Sequence, residues 1–224
     1  MTAPDRVLPD PLGAAANWLG QGGLLAYPTE TVWGLAADAM STQSLARLQQ
    51  WKGRGPGDPI SVLVSGADAA SELGFELDSR AALLAERFWP GPLTLVVRSQ
   101  LSLAPGIARE DGAVGLRCSS HPLAVALARR VVQAGIGPIT ATSLNRSGSE
   151  PARTRQDALS LCHVGEDASQ APEQPRVIAV EGAEAGGDEA SSVVDLSGAE
   201  PRVLRWGAIS EEDLAPVLRE IGAS

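Results

Sequence analysis

The sequence reads as an α/β fold built on a twisted, partly parallel sheet. Three observations lead there. Short apolar, often β-branched runs such as residues 93–97 and 139–143 have the length of buried strands and fall short of helices. Between them lie stretches with apolar side chains at helical spacing, several opened by capping residues. A chain of 224 residues, 44% hydrophobic and 20% charged, is also long enough to bury a substantial core. Helices interleaved with short strands fit a sheet with helices packed against it.

In chain order, Asp10-Pro11 opens a helix through Leu19, with Asp as cap and Pro in the first turn, and Gly22-Gly23 closes it. Residues 24–27 form a short buried strand. Ser41 caps a helix whose Leu45, Leu48 and Trp51 share one face. Residues 60–64 read as a strand, and a helix over 78–88 stops before Pro90-Gly-Pro92. Strands follow at 93–97 and 113–117, then a helix over 122–133 ended by Gly135. Residues 139–143 are a strand entering the polar loop Leu144-Asn-Arg-Ser-Gly148. A helix near 157–161 precedes an acidic loop over 165–175, and strands are expected at 177–180, 192–196 and 202–205. Ser210-Glu-Glu-Asp starts a last helix, its acids facing the positive end of the helix dipole.

The formal net charge of −9 is unevenly placed: residues 150–200 carry 11 acidic and 3 basic side chains, leaving the rest nearly balanced. Such a chain repels nucleic acid on average, so no stable nucleic-acid binding is expected. No apolar run approaches the roughly 20 residues of a membrane span. The N-terminus shows no basic-then-apolar leader. Two cysteines, Cys118 and Cys162, have neither a disulfide framework nor metal-ligand spacing. A reduced, cytoplasmic protein is expected. Of the 18 basic residues 17 are Arg, and the one Lys, Lys52, becomes a candidate for a site wanting a compact ammonium, or is there by chance.

Common catalytic signatures are missing. The sequence has no Gly-x-x-x-x-Gly-Lys-Ser/Thr loop, no Gly-x-Gly-x-x-Gly turn, no His-Glu-x-x-His and no Gly-x-Ser-x-Gly elbow. Polar clusters at strand ends remain. Tyr27-Pro-Thr-Glu-Thr-Val-Trp-Gly34 sets hydroxyls and a carboxylate between a strand and a glycine, a pattern that also makes plain turns. Lys52-Gly-Arg54 offers a point charge and a fork for phosphates, or an ordinary basic helix end. Thr142-Ser-Leu-Asn-Arg-Ser-Gly148 can orient a small ligand, or simply turn the chain.

Taken in order, these segments resemble the YrdC-like family of threonylcarbamoyl-AMP synthases. The resemblance is carried by Tyr27-Pro-Thr-Glu-Thr-Val-Trp-Gly-Leu-Ala-Ala-Asp38, Lys52-Gly-Arg54 with Pro59, and Trp89-Pro-Gly-Pro-Leu-Thr94. Val114-Gly-Leu-Arg117 with His121-Pro122, Ile139-Thr-Ala-Thr-Ser-Leu-Asn145, Ser191-Ser-Val-Val-Asp195 and Leu204-Arg-Trp-Gly207 complete it. It covers about residues 22–207 and implies one YrdC-like domain over 1–224, of the short form without a further C-terminal domain. The implied fold is a twisted, open, mixed parallel and antiparallel sheet with flanking helices and a concave ligand-binding face.

The implied activity is ATP-dependent synthesis of L-threonylcarbamoyl-adenylate from L-threonine and bicarbonate, with partner proteins passing the adenylate on to tRNA. Related alternatives are a paralogue handling another carbamoyl-adenylate and a non-catalytic RNA-binding module. By motif position, Lys52 and Arg54 contact ATP phosphates or the carbamate and carry the catalysis. Thr31, Arg117, Ser143 and Ser191 bind threonine or its carbamate, and Asn145, Arg153 and Arg205 line the nucleotide side. Mg2+ is expected to arrive on ATP oxygens, with no dedicated protein cage. Glu30 either meets metal-bound water or braces its loop, and bracing is the favoured reading. Departures from the commoner pattern are Gly55, Leu63, Trp33 for Tyr or Phe, Leu144 for Ala, and Trp206 for Pro.

Overall fold

Thr140 stands where two sheets meet, and its environment explains the architecture. In this computed structural model, which describes residues 10–53, 55, 59–162, 172–178, 180, 183–187 and 189–222, its hydroxyl donates to Leu35 O at 3.0 Å and accepts from Ala37 N at 3.0 Å. The segment expected as one strand over 139–143 is therefore two. Residues Ile139–Thr140 join one sheet, the chain turns at Ala141, and Thr142–Ser143 join the other.

The smaller sheet has four strands. Its centre is β1 (Leu25–Tyr27) paired antiparallel to β2 (Gly34–Ala36). The chain next supplies β3 (Val62–Leu63), β4 (Leu93–Arg98), β5 (Ala113–Arg117), β6 (Ile139–Thr140) and β7 (Thr142–Ser143). It ends with β8 (Arg176–Val177), β9 (Ser192–Asp195) and β10 (Arg202–Arg205). The four-stranded order is β7-β2-β1-β8, with β8 parallel to β1, and the six-stranded order is β10-β9-β4-β5-β3-β6. In the larger sheet β9–β4 and β5–β3 are parallel, while β10–β9, β4–β5 and β3–β6 are antiparallel. The partly parallel character read from the sequence is thus present, divided between two sheets.

Local chemistry sets the helices. In α1 (Pro11–Gly20) Asp10 accepts from Gly13 N at 2.8 Å. In α2 (Thr42–Lys52) Ser41 accepts from Ser44 N, and Gly53 ends the helix with φ 67°. Side-chain oxygens that take up free N–H groups of the first turn fix these starts. A short α3 (Ala67–Leu73) was not expected; Gly66 gives it no side-chain cap and only Ala70 is buried. Asp78 caps α4 (Ser79–Phe88), and α5 (Pro122–Gln133) has the bounds the sequence predicts. α6 (Arg155–Cys162) and α7 (Glu211–Gly222) complete the set, α7 with three acids in its first turn. The core is continuous from Leu19 and Leu24 through Leu48, Leu95 and Leu116 to Leu214.

One glycine lets the sheets come close to the site. Gly34 sits opposite Tyr27 in the β1–β2 register, and a Cβ there would lie 2.7 Å from the Tyr27 ring. The ring crosses beneath β2, and its hydroxyl donates to Thr140 O at 3.3 Å.

Candidate functional site

The turn after β1 is held in shape by its own hydroxyls. Thr31 N donates to Thr29 Oγ1 at 3.1 Å, Thr29 Oγ1 donates to Val32 O at 2.7 Å, and the two threonine hydroxyls lie 2.9 Å apart. Three outside contacts then fasten the turn. Trp33 N donates to Ala152 O, while Gly186 N and Gly187 N donate to Thr29 O and Thr31 O, each at 2.9 Å. Both glycines lie so near Glu30 that a Cβ would meet its backbone, at 3.1 Å and 2.8 Å.

Glu30 joins this turn to the larger sheet. Its carboxylate accepts from Arg117 at the end of β5 and from the Ser119 hydroxyl. Arg117 also donates to Gly91 O and, at 3.4 Å, to Leu93 O, and it is 5% exposed. Burial pushes its guanidinium below the ordinary arginine value, and the Glu30 charge opposes that loss. Glu30 is thus engaged by two partners across the gap between the turn and β5, a contact that would brace the turn.

Ser191, just before β9, donates or accepts with Thr94 Oγ1 at 2.8 Å, and Arg205 donates to Ser191 O at 2.9 Å and to its hydroxyl at 3.1 Å. This wall depends on Gly207, where a Cβ would stand 2.2 Å from Ala190 O. Trp206, which replaces Pro, leaves Arg205 engaged with Ser191 and is itself 46% exposed.

Opposite, Ser143 Oγ donates to Asn145 Oδ1 at 2.7 Å, and Asn145 Nδ2 donates to Ser149 O at 2.7 Å. Lys52 is buried beneath this loop at the end of α2. Its ammonium donates to Ser143 O at 2.6 Å, Asn145 O at 3.1 Å and Asn145 Oδ1 at 2.9 Å, and Ser147 N donates back to Lys52 O at 2.7 Å.

These walls enclose a cavity of about 270 Å3 between the two sheets, partly open to solvent. Of the residues proposed from the sequence, Thr31, Arg117, Ser143, Ser191 and Arg205 all line it. Lys52 and Asn145 do not appear in the lining and stand behind Ser143. Arg153 lies away from the cavity, at a surface depression shared with Asp157, and pairs with Glu150 at 3.4 Å. Arg54 lies outside the described residues.

Sequence reading passed over Tyr27, Thr29 and Thr94 as lining residues. Each sits inside a quoted motif, and Thr94 closes the Trp89-to-Thr94 segment, so the signal was position rather than residue type. Leu63 and Trp33 also line the cavity, whereas Leu144 is wholly buried in the core.

The polar part of the lining is a set of hydroxyls and two guanidinium groups, set among apolar side chains such as Ile60 and Leu63, and suits an anionic ligand with an apolar portion. Among the described residues no group of three or more His, Cys, Asp and Glu side chains is placed to hold a metal. No described helix is long and apolar enough to cross a membrane.

Comparison with known proteins bears on this cavity. Residues 17–207 match the Sua5/YciO/YrdC family model, described as telomere recombination. A Mycobacterium tuberculosis relative is 36% identical over 94% of this chain and 90% of its own length. A Pyrococcus abyssi protein named threonylcarbamoyl-AMP synthase is 33% identical over 92% of this chain, which spans 57% of that longer relative. The crystal structure of P. abyssi Sua5 complexed with L-threonine superposes with TM-score 0.78 at 28% identity, over 92% of this chain and 56% of that one.

Proposed function

Because the chain belongs to the Sua5/YciO/YrdC family, we propose that it makes L-threonylcarbamoyl-adenylate from L-threonine, bicarbonate and ATP. The observation that carries this reading is the gathering of Thr31, Arg117, Ser143, Ser191 and Arg205, drawn from distant parts of the chain, into one cavity.

The chemistry asks little of a protein nucleophile. The threonine amine forms an N–C bond to carbon dioxide with loss of a proton, or to bicarbonate with loss of water, giving a carbamate. A carbamate oxygen attacks the α-phosphorus of ATP, forming a P–O bond, and pyrophosphate leaves with the electrons of the broken P–O bond. What the protein supplies is proximity of two anions and donors where charge develops. Thr31, Ser143 and Ser191 give hydroxyls for the amino acid and its carbamate, Ser143 as an acceptor while its own proton goes to Asn145. Arg205 lines the cavity from a solvent-exposed position, where a nucleotide would meet it, and keeps its charge. Arg117 is engaged with Glu30 and with Gly91 O, so it shapes the floor and adds field more than it grips a ligand.

Lys52 and Asn145 act on this reading through the loop that carries Ser143. The ammonium draws Ser143 O and Asn145 together and leaves a positive charge directly behind the cavity wall. Arg54 keeps its proposed place on the phosphates, and Arg153 would reach a ligand only at the periphery. ATP would enter as its Mg2+ complex, the metal held by phosphate oxygens and water, since Glu30 is already committed to Arg117 and Ser119. The adenylate would pass to tRNA-modification proteins in the cytoplasm, where ATP and tRNA reside.

The test is pyrophosphate release by purified protein with Mg2+ and ATP, adding threonine and bicarbonate singly and together. Release that needs both supports the proposal; release with neither or with another amino acid contradicts it.

A further inference from the structure

His121 does not line the cavity, yet both nitrogens of its ring are engaged. It stands just before α5, where Nδ1 accepts from Leu123 N at 3.2 Å and Nε2 lies 3.0 Å from Glu184 O. A backbone N–H only donates and a carbonyl only accepts, so Nδ1 is the bare nitrogen and Nε2 carries the proton. Burial lowers the pKa of the ring, which favours the same neutral form. The imidazole thus caps α5 and at the same time grips the backbone of a segment 63 residues on.

That segment, residues 183–187, is a strap across the turn that carries Thr31. Ala183 is buried in the core, and the Glu184 carboxylate accepts from Arg155 N at 2.9 Å. Gly186 N and Gly187 N then donate to Thr29 O and Thr31 O, with both glycines close against the Glu30 backbone. The loop after β5 meets the same turn from elsewhere: Ser119 donates to the Glu30 carboxylate and accepts from His121 N at 3.1 Å. His121 therefore closes a ring of contacts around Glu30, its backbone tied to Ser119 and its imidazole to the strap. Thr31, which lines the cavity, follows Glu30 directly and is bonded to the strap through its own carbonyl. Glu184 O lies only two residues before Gly186, so a shift there reaches the amides that hold the turn.

We propose that His121 is a positioning residue for amino-acid binding, its Nε2–H holding the 183–187 strap so that the strap sets the Thr31 turn at the cavity wall. The inference rests on the proposed function for the identity of the amino acid. Two substitutions separate the two tasks of the ring. Asn is a good helix cap whose oxygen can stand in for Nδ1, but it is too short to reach Glu184 O. Gln is a poor cap, but its longer side chain can present an amide N–H where Nε2–H stands.

The parent protein, His121→Asn and His121→Gln are compared by steady-state pyrophosphate release and by hydrogen exchange of the Gly186 and Gly187 amides. In His121→Asn the KM for threonine rises about fivefold, as for one lost hydrogen bond, while kcat and the KM for ATP change by less than about twofold. Both glycine amides exchange faster in that variant. His121→Gln keeps the threonine KM and the amide protection close to those of the parent, although it has lost the cap. His121→Ser, another cap too short to reach Glu184, replaces the Asn variant if that one does not fold. The reverse order, with Gln impaired and Asn normal, assigns His121 to the α5 cap alone and overturns the inference. An unchanged threonine KM in His121→Asn despite faster exchange also overturns it, as does a fall in kcat at constant KM; in each case the proposed function stands. A parent protein that releases no pyrophosphate with threonine and bicarbonate overturns the proposed function and the inference together.

Discussion

The Glu30 carboxylate and the Arg117 guanidinium form an ion pair that links the turn after β1 to the end of β5, 87 residues apart in sequence. Both side chains are largely buried, at 16% and 7% exposure. The pair therefore fixes the distance between the two sheets at the point where the cavity opens between them.

Glu30→Gln keeps an acceptor for Ser119 but removes the charge that offsets Arg117. Breaking one partner of a buried pair costs about 3 kcal/mol or more. For a chain of this size that is a fall in Tm of about 6–12 °C, measurable by thermal denaturation. An unchanged Tm would mean that Arg117 finds enough support in Gly91 O and Leu93 O alone.

Lys52 and Asn145 serve one loop, so their losses should not multiply. Lys52→Ala is expected to lower the rate of pyrophosphate release about a hundredfold, because it frees Ser143 and Asn145 and removes the charge behind the cavity wall. Asn145→Ala lowers it less, and the double variant is hardly slower than Lys52→Ala, because both substitutions release Ser143. Fully multiplicative losses would assign the two side chains to separate tasks.

How far the sequence discloses the molecule depends on whether the determining chemistry is local. Asp10, Ser41 and Asp78 mark helix starts because each cap bonds an amide three residues away. α3 escaped notice since Gly66 carries no capping side chain, and β2 was hidden because Gly34 reads as the end of a turn. Residues 139–143 keep one apolar pattern while Thr140 hands the chain from one sheet to the other, a switch set by partners about 100 residues earlier. The site follows the same rule. Thr31, Arg117 and Ser191 were reached through motif position, whereas the Glu30–Arg117–Ser119 brace and the Thr94–Ser191 contact exist only in three dimensions.

Arg109 governs the acid stability of the β9 end. It donates to Asp195 at 2.6 Å and pairs with Asp111, and its hydrogen bond holds the Asp111 carboxyl down at about 2. Asp195 is raised by burial but more than lowered by bonds from Ser197 and Arg109. A carboxylate with a depressed folded pKa adds stability above its unfolded value near 3.8 that is lost as pH falls toward 2. Unfolding free energy should thus fall between about pH 4 and pH 2. In Arg109→Met that fall shrinks, with both carboxyls titrating nearer 3.8 by 13C chemical shift. An equally steep decline in the variant would place the acid sensitivity elsewhere.

Burial pushes the Cys118 thiol up to about 11 and the Cys162 thiol to about 12, so both stay protonated at pH 8. Neither should react with Ellman's reagent in the folded protein, and both should react after denaturation. Rapid native labelling of Cys118, which follows Arg117 directly, would show that the floor of the cavity opens.

The most direct test of the functional reading remains pyrophosphate release from Mg2+-ATP. Release that requires threonine and bicarbonate together, and that yields threonylcarbamoyl-adenylate by mass spectrometry, is the predicted result. Threonine that neither binds nor stimulates release, in protein that is folded and binds ATP, would contradict it.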